Sequence, residues 1–326
     1  MIFVDFPDAP ATDTPGDLYE ALVPGAADFY RSSSYRKLRL SVNADTSRFY
    51  RMPASSDSYG YRRGLSSSAH ERYIQDALRA VGHSVDFSGS HLLYIVPTSA
   101  AKDISFSPTF MGPVQAADGA VLARTVTFGQ DMTRWGPKVV IHETGHALGM
   151  PDLYSFSGGA SHAFVGGWDV MGLISGHSPD HLAWHKWQLE WLTNTQVDCV
   201  TRPGTTTHTI TPVENAGGTK MTVIKTGRNR AVVVEVRSRN GLNYQSCSTG
   251  VLIYTVDTAT PSGSGPVRVS DSRRNTGCGG YTQNDGVYTT APGVNTYSDD
   301  ASDTTIRVIS ENAGTGAYTI TVLKER

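Results

Sequence analysis

One run of eleven residues constrains this chain more than any other: His142-Glu143-Thr144-Gly145-His146-Ala147-Leu148-Gly149-Met150-Pro151-Asp152. It follows Gly136-Pro137 and the apolar Val139, Val140 and Ile141. Proline suits a helix's first turn, so the sequence predicts a helix that carries both histidines. Residues four apart share a helix face, and His142 and His146 can offer imidazole nitrogens to a single ion. Glu143 projects beside them, within reach of a water at that ion without being a ligand. Hydrolysis at zinc needs this set of groups: the ion polarises a carbonyl and acidifies water, while the carboxylate moves the proton. Gly149 tolerates the positive φ of a sharp exit. Asp152 then stands where the chain can fold back, and His142, His146 and Asp152 would fill the three protein positions of a catalytic zinc. The bland reading is a helix whose two histidines are satisfied structurally.

At 326 residues the chain exceeds one ordinary core, so two domains are expected. Texture places the division. All five tryptophans and nine of the ten histidines precede residue 192. Beyond about residue 196 come short alternating runs: Met221 to Lys225, Ala231 to Arg237, Val251 to Val256, Thr305 to Ile309 and Tyr318 to Leu323. The last two flank Glu311 to Gly316, a good hairpin loop. Residues 196–326 are therefore expected to form an all-β sandwich, after a mixed domain over residues 1–195, which makes the chain α+β. In the first half, Ile2 to Phe6, Leu38 to Val42 and Leu92 to Val96 read as strands. Ser68 and Glu71 read as a capping box ahead of Ile74, Ala77, Leu78 and Val81 at helical spacing. A further helix is expected from Ser178-Pro179, with Trp184, Trp187 and Trp191 on one face.

A net charge of −2 with mixed signs gives no basic patch, so neither nucleic acid nor a membrane surface is an expected partner. No apolar run reaches the roughly 20 residues of a membrane span. Three cysteines, Cys199, Cys247 and Cys278, fit no zinc-knuckle spacing, and Cys247 with Cys278 is the preferred disulfide.

The zinc run, continued by Leu153-Tyr154, resembles the extended motif of the immune inhibitor A family of bacterial secreted metallopeptidases. The same string is similar to snapalysin, a secreted zinc protease with Asp as third ligand. Gly167-Trp168-Asp169-Val170-Met171-Gly172 looks like that family's methionine-turn segment, and Leu182 to Trp187 with Leu189 to Leu192 resembles the helix after it. Val4 to Asp8, Ser34 to Leu38, Val234 to Arg237 and Gly250 to Tyr254 extend the likeness over most of the chain. The resemblance implies a metzincin-like catalytic domain, Met171 packed under the zinc, protein or peptide substrates, a monomer, and secretion, with any signal and propeptide outside this chain. The family's acidic calcium loop would fall near Val85-Asp86-Phe87-Ser88, where the acidic run is missing; Ca2+ is therefore unsupported there. Val121 to Phe128 is either the edge strand that receives substrate or a plain core strand.

His185 is the runner-up third ligand; otherwise His181 and His185 form a polar helix face. Tyr154, His177 and His181 are all candidate oxyanion donors. Asp299, Asp300 and Asp303 read as a solvated turn or a weak calcium site. Two other functions stay open: an adhesion protein with a closed structural zinc, and a zinc hydrolase of a non-peptide bond.

Overall fold

Ile2–Asp5 (β1) is buried along its whole length, as a strand covered on both faces must be. A computed structural model describes residues 1–272 and 286–325. In it β1 shares a mixed sheet with Tyr50–Arg51 (β2), Leu92–Pro97 (β3), Thr109–Phe110 (β4) and Arg124–Thr127 (β7), while Val114–Gln115 (β5) and Val121–Leu122 (β6) pair separately. The sheet order is β2-β1-β3-β7-β4. All its pairs are parallel except β4 on β7, so the edge strand β4 is antiparallel. Helices α1 (Pro15–Ser33), α2 (Ser67–Val81), α3 (Met132–Trp135) and α4 (Pro137–Ala147) accompany it. Tyr73, Ile74, Ala77, Leu78 and Val81 of α2 join Ile2, Val4, Leu93 and Ile95 in one apolar core. The α2 cap is Ser66, whose side chain accepts from Ala69 N, so the helix starts ahead of the predicted Ser68.

The later chain holds α5 (Ala183–Gln188) and two sheets. One contains Val197–Val200 (β8), Met221–Lys225 (β10), Arg230–Arg237 (β11), Gly250–Asp257 (β12), Val267–Val269 (β13) and Val287–Tyr288 (β14). The other contains Gly204–Ile210 (β9), Thr296–Asp299 (β15), Thr304–Asn312 (β16) and Ala317–Lys324 (β17). Ile224, Val232, Val234 and Ile253 of the first sheet share a core with Ile306, Val308, Ile320 and Val322 of the second, as in a sandwich. Asn312 pairs with Ala317, closing the expected hairpin.

Three further expectations differ from what forms, and one open alternative is resolved. Leu38 to Val42 makes no ladder; the parallel neighbour of β1 on that side is β2. Val121 to Phe128 splits between β6 and β7, and β7 lies between β3 and β4, so it is a core strand and β4 is the edge. The tryptophan helix is short: Glu190 takes φ 59°, Trp191 N donates to Lys186 O and Glu190 N to Trp187 O, a Schellman stop that leaves Trp191 outside. His181 precedes α5, so it and His185 do not share a helix. By compactness the chain divides into Met1–Tyr30 with Arg39–Met150, and Arg31–Leu38 with Pro151–Arg326. That division does not coincide with the change of texture at 195–196, because residues 151–195 are tied to the β-rich unit.

The tie is a buried polar network. Arg237, 1% exposed, meets Glu235 at 2.5 Å and donates to Asp180 O and Trp168 O at 3.1 and 3.0 Å. Glu235 in turn accepts from Ala183 N at the start of α5 and from the Tyr254 hydroxyl, each at 2.7 Å. Burying charge is costly unless it is paired, and removing one partner of such a pair costs about 3–5 kcal/mol. Arg237→Ala is therefore expected to lower stability by about that amount. Chemical denaturation with near-ultraviolet dichroism as readout checks it; a loss below about 1 kcal/mol would mean that the network does not hold residues 168–183.

Candidate functional site

Helix α4 is set in place at both ends. It starts after Gly136, whose φ of 52° favours glycine, with Pro137 in its first turn. A Cβ on Gly25 of α1 would stand 2.9 Å from Pro137 Cγ, so only glycine lets α1 approach this closely. Along the helix, the Tyr30 hydroxyl donates to Ile141 O at 2.6 Å, and the Tyr94 hydroxyl of β3 lies 2.5 Å from Thr144 Oγ1. At the far end Gly149 takes φ 94°, Gly149 N donates to His146 O, and Met150 N donates to Gly145 O, another Schellman stop. The sharp exit expected of Gly149 is present.

That turn has a chemical consequence. It carries Met150 O back to within 2.9 Å of His146 Nδ1. A carbonyl only accepts, so Nδ1 carries the proton and the lone pair sits on Nε2, the tautomer that a metal ligand needs. The His142 and His146 rings stand 4.8 Å apart at 90°. Together with Glu143 they form the one group of three or more His, Cys, Asp or Glu among the described residues with donor atoms close enough to share an ion, all within 4.8 Å. His142 and Glu143 are buried and His146 is half-buried. Two imidazoles with a carboxylate suit zinc and several other divalent ions, and the donor set fits a bound metal without fixing which.

Thr109 is a site residue that sequence reading did not single out. Its hydroxyl, on edge strand β4, lies 2.8 Å from Glu143 Oε2 and 2.9 Å from Glu143 O. No spacing signal links residues 109 and 143; the contact exists because β4 turns back antiparallel along β7.

Asp152 belongs to the second unit. There it is buried, its N–H donates to Ser262 Oγ at 2.9 Å, and Ser262 Oγ lies 3.3 Å from its Oδ2. His185 is also in that unit, with Nδ1 3.3 Å from Asp169 Oδ2, while His181 Nδ1 lies 3.1 Å from Asp169 Oδ1. Burial alone would raise the Asp169 carboxyl, but His181 and His185 beside it hold it well below the usual carboxylate range. Met171 is fully buried, and its N–H donates to Asp169. His177 Nδ1 lies 3.4 Å from Cys247 Sγ, and Tyr154 makes an edge contact with Phe156. Cys247 is disulfide-bonded and Cys199 is free; Cys278 lies outside the described residues. Asp299 accepts from Ser302 Oγ and Ala301 N, the bonding of a turn. The chain matches no known protein-family model and no curated protein.

His70 of α2 lies under β4. Its ring packs edge-on against Phe110 at 5.4 Å, and its Nε2 is 2.7 Å from Thr127 Oγ1. Burial pushes its pKa down to about 4. The folded state thus prefers the neutral ring, so the unfolded chain takes up a proton first as pH falls. The first unit should keep full stability above about pH 6.5 and lose about 3 kcal/mol between there and about pH 4. Melting curves of wild type and His70→Gln across that window test this: the wild-type decline should be markedly steeper, and equal slopes would contradict it.

Proposed function

We propose that the chain is a zinc-dependent endopeptidase with a metzincin-like catalytic domain, in which His142, His146 and Asp152 hold the ion and Glu143 is general base and acid. What carries the reading is the placement of Glu143. Its carboxylate is buried within 4.8 Å of the donor nitrogens of both imidazoles and hydrogen-bonded to Thr109 at the edge of the sheet. A buried carboxylate is costly unless its charge is paired or used, and a metal with a reacting water supplies both.

A zinc ion here contributes Lewis acidity, polarising the scissile carbonyl and lowering the pKa of a water. Glu143 removes the proton of the attacking water and returns it to the leaving amine nitrogen. No side-chain nucleophile takes part, so no acyl-enzyme forms. The Thr109 hydroxyl steadies the carboxylate as it takes up and releases that proton. His146 is kept in its ligating tautomer by Met150 O. Asp152 is assigned as third donor on its spacing in the motif, and the loop at Ser262 orients its carboxylate.

Substrate would add to the sheet. Among the described residues β4 pairs with β7 alone, and an extended peptide laid along its other side would form main-chain hydrogen bonds next to Glu143. That geometry favours a peptide over a small non-peptide ester or amide. The motif's likeness to secreted peptidases supports an extracellular enzyme acting as a monomer.

The test is hydrolysis of a quenched casein substrate by wild type, chelated protein, Glu143→Ala, His142→Ala, Asp152→Ala and His185→Ala, with bound zinc quantified in each. Chelation and His142→Ala should abolish activity with loss of metal. Glu143→Ala should retain zinc and fall at least about a hundredfold in rate. Asp152→Ala should weaken zinc binding more than His185→Ala; the reverse result would make His185 the third ligand. Stoichiometric zinc without cleavage by folded wild type would overturn the peptidase reading.

A further inference from the structure

A second site lies in the β-rich unit, and the proposed chemistry leaves it unused. The face of the β8–β10–β11–β12 sheet opposite the sandwich core carries Val223, Ala231 and Val256, at the positions that alternate with core residues Ile224 and Val232. A solvated sheet face would be polar at those positions. Here Trp184 and Trp187 of α5, edge to face at 5.6 Å, stand over them and leave a cavity of about 230 Å³. Both tryptophans are half-buried, so their rings are open to an incoming group.

The rim is cationic. Lys225, Arg228 and Arg230 line it, all three exposed, and no acidic residue does. Arg230 is paired with Asp257 at 2.8 Å, which leaves Lys225 and Arg228 as the excess positive charge. The chain as a whole is slightly acidic, so this concentration of cations is local and not compositional. The β10–β11 loop that carries Arg228 is tight, with Thr226 N and Gly227 N both donating to Arg230 O. The rim is thus held in place, at little entropic cost to binding.

We propose that this cavity is a docking site for an extended acidic peptide segment, with one bulky apolar side chain seated between Trp184 and the sheet and flanking carboxylates on Lys225 and Arg228. Size separates this occupant from others. The volume falls below the roughly 300–1,000 Å³ of small-molecule sites and matches a single large side chain. Edge strand β8, which contributes Cys199 to the wall, pairs with β10 alone among the described residues and offers its other edge to an extended backbone. Tryptophan and arginine together are the residues that dominate protein recognition sites. The site does not rest on the peptidase reading, since none of its residues belongs to the α4 cluster.

Binding is measured on full-length Glu143→Ala, which removes the complication of turnover, using a fluorescein-labelled octapeptide with a central Phe–Leu pair flanked by Glu and Asp. Its companions are a Lys/Arg-flanked peptide, an acidic peptide with the central pair replaced by Ser, and heparin. The acidic Phe–Leu peptide should bind in the micromolar range, weaken as salt rises, and bind at least about tenfold more tightly than either peptide companion. Lys225→Glu with Arg228→Glu, at the exposed end of β10 and in the loop after it, should cost at least about tenfold. Trp187→Ala should do likewise, provided its melting curve shows that α5 remains folded. Saturating peptide should also slow alkylation of Cys199, which places the bound peptide at this cavity. Equal binding of acidic and basic peptides, or no effect of the double charge reversal, would overturn the proposal. So would charge-dependent binding of heparin where neither acidic peptide binds, which would make this an anionic polysaccharide site.

Discussion

A carboxylate buried beside two imidazoles has to be fixed by its surroundings, and the first unit is arranged to do this for Glu143. The helix that carries it cannot slide, because its first proline is locked against Gly25. It cannot rotate freely either, because tyrosine hydroxyls from α1 and β3 bond to it at Ile141 and Thr144. Thr109 then sets the carboxylate itself. These contacts join α1, β3 and β4 to α4, so the geometry of the site follows from the packing of the whole unit. Preorganisation of this kind spares the cost of rearrangement when charge moves.

The β-rich unit solves a related problem by other means. Residues 151–195 have little regular structure, although they bury apolar side chains such as Leu153, Trp168, Met171 and Leu182. Charge helps to order them. Arg237 and Glu235 hold the segments around Trp168, Asp180 and Ala183, and Asp169 collects N–H groups from Met171 and Leu182 together with two imidazoles. Such networks are strong only when every member is satisfied, which makes them sensitive to single substitutions. The same anchoring puts α5 on the outer face of the sheet, where its tryptophans create the cationic-rimmed cavity.

Periodicity and local stops made much of this legible in the sequence. Strand β17 alternates, β10, β11 and β12 read as short apolar runs buried on both faces, and the Gly136-Pro137 start and Gly149 exit of α4 carry their own signals. What escaped had physical reasons. Helix α1 is not anticipated; it contains Pro24 and Gly25, and Gly25 is there for the close approach of Pro137. The stop of α5 uses Glu190 where glycine is usual, so the tryptophan stripe looked longer than the helix. Short strands such as β2 and β4 have only two residues each, too few to show a period. Thr109, Ser262 and the Arg237 network act across more than thirty residues of sequence, and no local pattern can reveal them.

The account rests on Glu143 acting on a water and not occupying the metal. Zinc K-edge X-ray absorption on zinc-loaded wild type and Glu143→Gln measures this directly. The account predicts nitrogen and oxygen ligands at about 2.0–2.2 Å, imidazole scattering from two histidines, and the same first shell in the variant. An oxygen ligand lost in Glu143→Gln would make Glu143 a ligand in a closed site and contradict the assignment of a general base.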